Sequence, residues 1–294
     1  MEIEEFLKED VLKFDFTHDC DYTRGDDYKL KDGYEKYFAY KTLNNVKDPD
    51  SSSELLQKIY RVLWPQLDAM EYMRGGKWIR SDTMTSVQHT LSRYFEDMFP
   101  REIYKYMTEH RNQRFVSVRM CAALFEENET VKNNLTLNEN LRHFVSVYHT
   151  LGNYSPVPTG FNVSRSGGRF ASDFDYWDLT LMKIKEYFDY RKGPKSEIGS
   201  DVHQIVVLLH CEEIIFNCIQ WLDGYGSWKE FVEVNFFQDY VDENGEVIPF
   251  CKDHSWKAGC NEIMDYDEFF GNAWKRIEAR SERMVAALKD KLEL

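Results

Sequence analysis

Two short stretches set arginine beside paired glycine, a combination suited to holding an anion. Residues 164–169, SRSGGR, flank Gly167 and Gly168 with Arg165 and Arg169, and Ser166 lies between. Glycine permits backbone turns that aim successive N–H groups at one point, and the guanidinium fork matches phosphate or carboxylate. Residues 74–82, RGGKWIRSD, repeat the pattern with Arg74, Lys77 and Arg80 around Gly75 and Gly76. The spacing differs from G-x-x-x-x-G-K-[ST], so no nucleotide fold follows from it. An ordinary alternative stands beside the anion site: Arg165 and Arg169 fasten their own loop to Asp173, Asp175 or Asp178, and each glycine pair is a simple helix entry.

His149 is the candidate base. It closes an apolar helix at the mouth of a long Gly, Pro, Ser and Asn-rich loop, near Asn153 and Asn162, and an ordinary imidazole titrates close to neutrality. Helix capping or packing is its competing role. If the site is catalytic, the matching chemistry is phosphodiester or phosphoester hydrolysis. His149 would take the proton, Arg80 and Arg165 would stabilise developing charge, and Asp82 and Asp175 would orient groups or hold a metal. Ser81, Thr83, Asn153, Asn162, Ser166 and Arg169 complete the candidate ligand-binding set.

Other constellations point less directly to chemistry. Cys251, His254 and Cys260 form C-x-x-H-x5-C, which lacks a fourth local ligand and the paired C-x-x-C of a zinc site. No metal or cofactor is assigned. His203 and His210 read as core residues. Nucleophile-elbow, H-E-x-x-H and dinucleotide fingerprints are absent from the sequence.

Helices must position these groups. A capping box of Ser51 and Glu54 opens a helix with Leu55, Leu56, Ile59, Tyr60 and Leu63 on one face, stopping near Pro65. Ser81 or Asp82 caps a second helix carrying Met84, Val87, Leu91, Tyr94 and Phe95, and Pro100 punctuates it. Residues 114–127 form a buried helix. Thr136 and Glu139 repeat the capping-box spacing ahead of Leu141, Phe144, Val145 and Tyr148. Beyond the loop at 149–173, residues 173–190 are helical, 200–226 are apolar enough for a central core helix, and 227–241 continue as an amphipathic helix through Phe231, Val234, Phe237 and Val241. Residues 242–250 make a turn or small hairpin. The chain closes in a helix with Phe269, Phe270, Ala273, Trp274, Ile277, Met284 and Leu288 inward.

The expected fold is therefore mainly α, one compact helical domain over residues 51–294 with an irregular or short-strand N-terminal layer over 1–50. Aromatic residues make up 15% of the 294, enough large side chains to fill such a core. No apolar run reaches the roughly 18 residues of a membrane span, and acids occupy the start where a secretory signal carries lysines, so the expected location is cytoplasmic. Reduced core thiols are the expectation for the six cysteines. The net charge of −14 opposes indiscriminate nucleic-acid or lipid binding. Charge is nonetheless polarised: residues 200–250 hold ten acids against Lys229 alone, and residues 74–123 hold nine Lys or Arg against five acids.

The blocks RSDTM (80–84), HTLGNYSPVPTGFNVSRSGG (149–168), DYWDLTL (175–181), WLDGYGSWKEFVEVNFFQDYV (221–241) and IEARSERMV (277–285) resemble a widespread bacterial family without an established function. The likeness runs from about Asp48 to Met284 and implies an intracellular bacterial protein. Residues 148–166 also resemble the "GNL" block near the end of HNH-type nuclease domains in modification-dependent restriction enzymes. The chain departs from that block upstream, where no Asp-His or His-x-x-Pro pair stands. Together these readings favour binding, with hydrolysis as the matching chemistry, of a phosphate-bearing small molecule or nucleic-acid end. The alternative is a non-enzymatic interaction protein whose acidic helices in 200–250 engage a basic protein partner, with phage defence or counter-defence as its setting.

Overall fold

A computed structural model describes residues 1–20, 33–42, 48–67, 79–110, 115–158, 161, 176–192, 221–255, 263 and 265–294. The N-terminal layer contains α1 (Ile3–Phe6), a 3-10 turn (Phe16–Asp19) and α2 (Gly33–Thr42), so its described residues are helical or turn rather than strand. α2 turns Tyr34, Tyr37, Phe38 and Tyr40 inward. Asp15 caps the 3-10 turn by accepting from the Thr17 N–H, and the Phe16 N–H donates to the His149 carbonyl, which sews the layer to the body.

The first body helix starts later than the Ser51 capping box predicts. Pro49 opens a short α3 (Pro49–Ser52), and Ser53 caps α4 (Glu54–Leu63), accepting from the Leu56 N–H. Asp19 wins the competition because its carboxylate binds both the Ser53 hydroxyl and the Leu55 N–H. Leu55, Leu56, Ile59, Tyr60 and Leu63 are buried on the predicted face.

The larger departure is at residues 79–83. Ser81 and Asp82 do not cap a helix; they lie inside strand β1 (Ile79–Thr83), and Ser86 caps α5 (Val87–Met98). β1 pairs antiparallel with β2 (Tyr154–Pro158), in the register Ile79↔Pro158 through Thr83↔Tyr154. Residues 151–158 of the loop predicted at 149–173 thus form a 3-10 turn (Leu151–Asn153) followed by a buried strand. Ladder bonding to a distant segment outweighs a local capping preference.

Between the strands run α6 (Pro100–Glu109), α7 (Val118–Glu127), α8 (Glu129–Leu137) and α9 (Glu139–Ser146). Pro100 starts α6 at its first turn, where a missing N–H costs nothing. Asn138, not Thr136, caps α9, while Leu141, Phe144 and Val145 are buried as predicted.

α10 (Trp177–Lys192) follows, and the expected core helix at 200–226 lies outside the described residues as far as 220. α11 (Trp228–Val234) is shorter than the predicted 227–241. Phe236 adopts φ 61°, and the chain turns so that the Phe237 N–H reaches the Val232 carbonyl. Residues 242–247 turn back through Gly245 to the bridge Val241↔Val247.

α12 (Tyr266–Lys291) spans the body, packing on α9, the 151–153 turn and α4. Phe269, Phe270, Ala273, Ile277, Met284 and Leu288 face the core. Trp274 is only half-buried, its indole N–H donating to Asn140.

Candidate functional site

The β ribbon places most of the predicted site residues that are described. Ser81 is buried with its hydroxyl 2.6 Å from the Tyr60 phenol. Asp82 is buried opposite Ser155. Thr83 closes β1 opposite Tyr154. Arg80 sits opposite Val157 in the ladder, with its side chain outside the described atoms. Asn162, Arg165, Ser166, Arg169 and Asp175 lie outside the described residues.

Asn153 has a structural task instead of an open one. Its amide N–H groups donate to the Tyr148 and Thr85 carbonyls, its side-chain oxygen accepts from the Thr85 N–H, and its own carbonyl accepts from the Met84 N–H. With donors and acceptor all engaged and the residue fully buried, the amide locks the end of β1 to the start of β2.

Three acids gather near this end of the ribbon. Asp50 of α3 is desolvated and faces the charges of Asp48 and Asp82, which together push its carboxyl up to about 6. The hydroxyls of Tyr154 and Ser155, both buried, find no partner within the protein.

His149 is buried between the end of α9 and the Leu151–Asn153 turn. Its Nδ1 stands 3.8 Å from a carboxylate oxygen of Asp15, too long for a hydrogen bond, and its Nε2 has no protein partner. Burial, the largest influence, drives the imidazole down to about 4, against the opposing pull of Asp15. The ring is therefore neutral at physiological pH. It packs edge-on to Tyr40 and beside Tyr148.

Asp15 takes its charge balance from Lys36, whose ammonium lies 2.7 Å away and also meets His18 Nε2 at 3.3 Å. Burial acts to raise the Asp15 carboxyl, but His149, Lys36 and the Thr17 bond together hold it below its ordinary value. Because the imidazole is neutral above about pH 4, Lys36 carries that effect at neutrality. Asp15, Lys36 and His149 line a cleft of about 350 Å³, together with Lys13, Tyr37, Tyr40, His143 and Glu278. The volume suits a small molecule.

Two further buried polar centres escape local sequence signals. His254 Nδ1 lies 2.7 Å from Asp178, whose carboxylate also accepts from the Phe250 and Leu179 N–H groups, and both side chains are fully buried. Asp178 thus has partners other than a loop arginine. Cys260 lies outside the described residues, and among the described residues no cluster of three or more His, Cys, Asp or Glu is arranged for a metal.

Arg280 of α12 is also fully buried, donating to the carbonyls of Gly152, Tyr154 and Asn235 and lying over the Phe237 ring. Burial draws it down to about 10, so it remains a cation. Its charge answers the dipoles of these three carbonyls.

Several acids of the 200–250 stretch are already engaged. Glu233 pairs with Lys229, Asp239 with Arg283 and Glu246 with Lys185. Among the described residues no helix is long and apolar enough to cross a membrane.

The molecule is accordingly a mainly helical protein in which one long C-terminal helix holds a two-stranded ribbon beside a polar, histidine-bearing cleft. It belongs to the family of unknown function DUF6994, whose model matches residues 12–284. Neither a curated protein nor a solved structure matches it.

Proposed function

We propose that this protein binds a phosphate-bearing ligand, a small molecule or a nucleic-acid end, beside the β1–β2 ribbon. The observation that supports this reading is the ladder register. Ile79 and Pro158 are paired, so the segment bearing Arg74, Gly75, Gly76 and Lys77 enters the ribbon at the same end from which the segment bearing Arg165, Gly167, Gly168 and Arg169 departs. Two glycine-containing basic segments tethered at one point offer backbone N–H groups and guanidinium forks to a single anion. In this reading Arg80, Arg165 and Arg169 bind the phosphate, Ser166 and Asn162 add hydrogen bonds, and Asp82 and Asp175 orient them.

The reading is binding and not hydrolysis. His149, the best base in the sequence, is buried against Asp15 and Tyr40, and its depressed basicity suits proton abstraction poorly. Native mass spectrometry of the purified chain beside Arg165→Ala tests the proposal, with pyrophosphate and a 5′-phosphorylated oligonucleotide as added probes. A phosphate-bearing mass on the wild type that Arg165→Ala loses is the expected result. A bare wild-type chain that also ignores both probes overturns it.

A further inference from the structure

The cleft between α2, the N-terminal 3-10 turn and the residues after α9 is a different place from the ribbon end, and its chemistry is different. Its charges cancel: Asp15 and Glu278 are matched by Lys13 and Lys36, with Asp15 and Lys36 in direct contact at 2.7 Å. A ligand of strong net charge would gain little there and would have to break that contact. A neutral ligand with both donors and acceptors meets matching groups without breaking it.

Two residues of the lining each carry a buried polar atom without a hydrogen-bond partner among the described residues. The Tyr37 hydroxyl and His149 Nε2 are buried and unpaired, although Tyr37 is 4% exposed and His149 7%. Buried polar groups are ordinarily hydrogen-bonded, so two orphans on one cleft mark positions where something other than the chain serves as partner. The aromatic residues Tyr37, Tyr40 and His149 line the same cleft.

From this geometry we infer that the cleft is a binding site for a neutral planar heterocycle of the nucleobase class, a purine or pyrimidine or its nucleoside. Asp15 accepts from a ring or exocyclic N–H, and Lys36 donates to a neighbouring carbonyl or ring nitrogen. The Tyr37 hydroxyl and the neutral His149 ring bond the remaining edge. Such a ligand carries adjacent donors and acceptors in one plane, which is the pattern these four side chains complement.

Isothermal titration calorimetry with adenosine, guanosine, cytidine and uridine, each taken to about 2 mM, tests the site on the full chain. None of these probes carries phosphate, so the result does not depend on the ribbon proposal. One nucleoside is expected to bind the wild type with one-to-one stoichiometry. Tyr37→Phe removes only an unpaired hydroxyl, so it should melt no lower than wild type while weakening binding by about fivefold or more. Asp15→Asn, which keeps an acceptor for the Thr17 cap, should weaken it by about tenfold or more. The inference is overturned if none of the four binds the folded wild type, or if binding is unchanged in both variants.

Discussion

The amide of Gly152 donates to the Ser281 hydroxyl at 2.7 Å, and the two backbones approach so closely that a Cβ at position 152 would overlap the Ile277 carbonyl oxygen. The contact fixes the turn before β2 directly against α12. Both partners are buried, and the obstructing atom belongs to a helix backbone that cannot swing aside.

Gly152→Ala should therefore destabilise the protein by about 3 kcal/mol or more, since overpacking against backbone has no side chain to absorb it. Urea unfolding gives the value directly. A midpoint equal to wild type would mean that α12 and the turn are not held in this contact.

Arg280→Met keeps most of the side-chain volume but removes donors from the Gly152, Tyr154 and Asn235 carbonyls. The expected loss is about 3 kcal/mol, because charge-assisted bonds are removed and buried acceptors are orphaned. Arg280→Lys should recover little of it, since one ammonium cannot span the three positions that the guanidinium fork reaches. Full recovery by Lys would show that charge alone matters at this point.

Asp50 gives a pH-dependent prediction. A carboxyl raised to about 6 in the folded state binds protons more tightly there than in the unfolded chain, so it favours folding below about pH 4 and loses that contribution as pH rises through 6. At neutrality its buried charge is a liability. Asp50→Asn should stabilise the protein by about 2 kcal/mol at pH 7.5 and confer no advantage at pH 4. Equal effects at both pH values would contradict the desolvated placement beside Asp48 and Asp82.

His149 has the opposite sign. An imidazole lowered to about 4 is neutral in the folded protein, so its contribution is present above the unfolded value near 6.5 and is lost as pH falls toward 4. Over that window it runs against Asp50, and the two partly cancel in the wild type. In an Asp50→Asn background, the acid loss attributable to His149 should reach about 3 kcal/mol and vanish in a further His149→Gln variant. NMR titration of the ring checks the premise, and a His149 midpoint near 6.5 would defeat it.

What the sequence reveals follows from the range of the interactions. The faces of α4, α9 and α12 are legible because helical periodicity repeats within one segment, and Phe269, Phe270, Ile277 and Leu288 are buried where that periodicity puts them. The α4 cap slips from Ser51 to Ser53 because Asp19 and the α3 turn intervene from outside the local window. β1 is illegible, since Ser81 and Asp82 have the chemistry of helix caps and the strand exists only through pairing with residues 154–158.

The candidate site divides in the same way. His149 can be picked out from its place after an apolar helix, yet Asp15 and Lys36, which define its cleft, come from the N-terminal layer and leave no local mark. Asp178 and His254 meet across 76 residues, and Arg280 reaches Gly152 across 128. In the sequence that arginine is one more charge in the repeating pattern of an amphipathic helix.

The same separation bears on the order in which the protein becomes whole during synthesis. Domains generally fold as they emerge from the ribosome, but here the carbonyls of Gly152, Tyr154 and Asn235 wait for a side chain translated 128, 126 and 45 residues after them. The ribbon and the turn before it can form early, but their interior acceptors stay unsatisfied until residue 280 clears the exit tunnel. Completion thus falls to α12, which acts as the closing piece of a body already largely gathered.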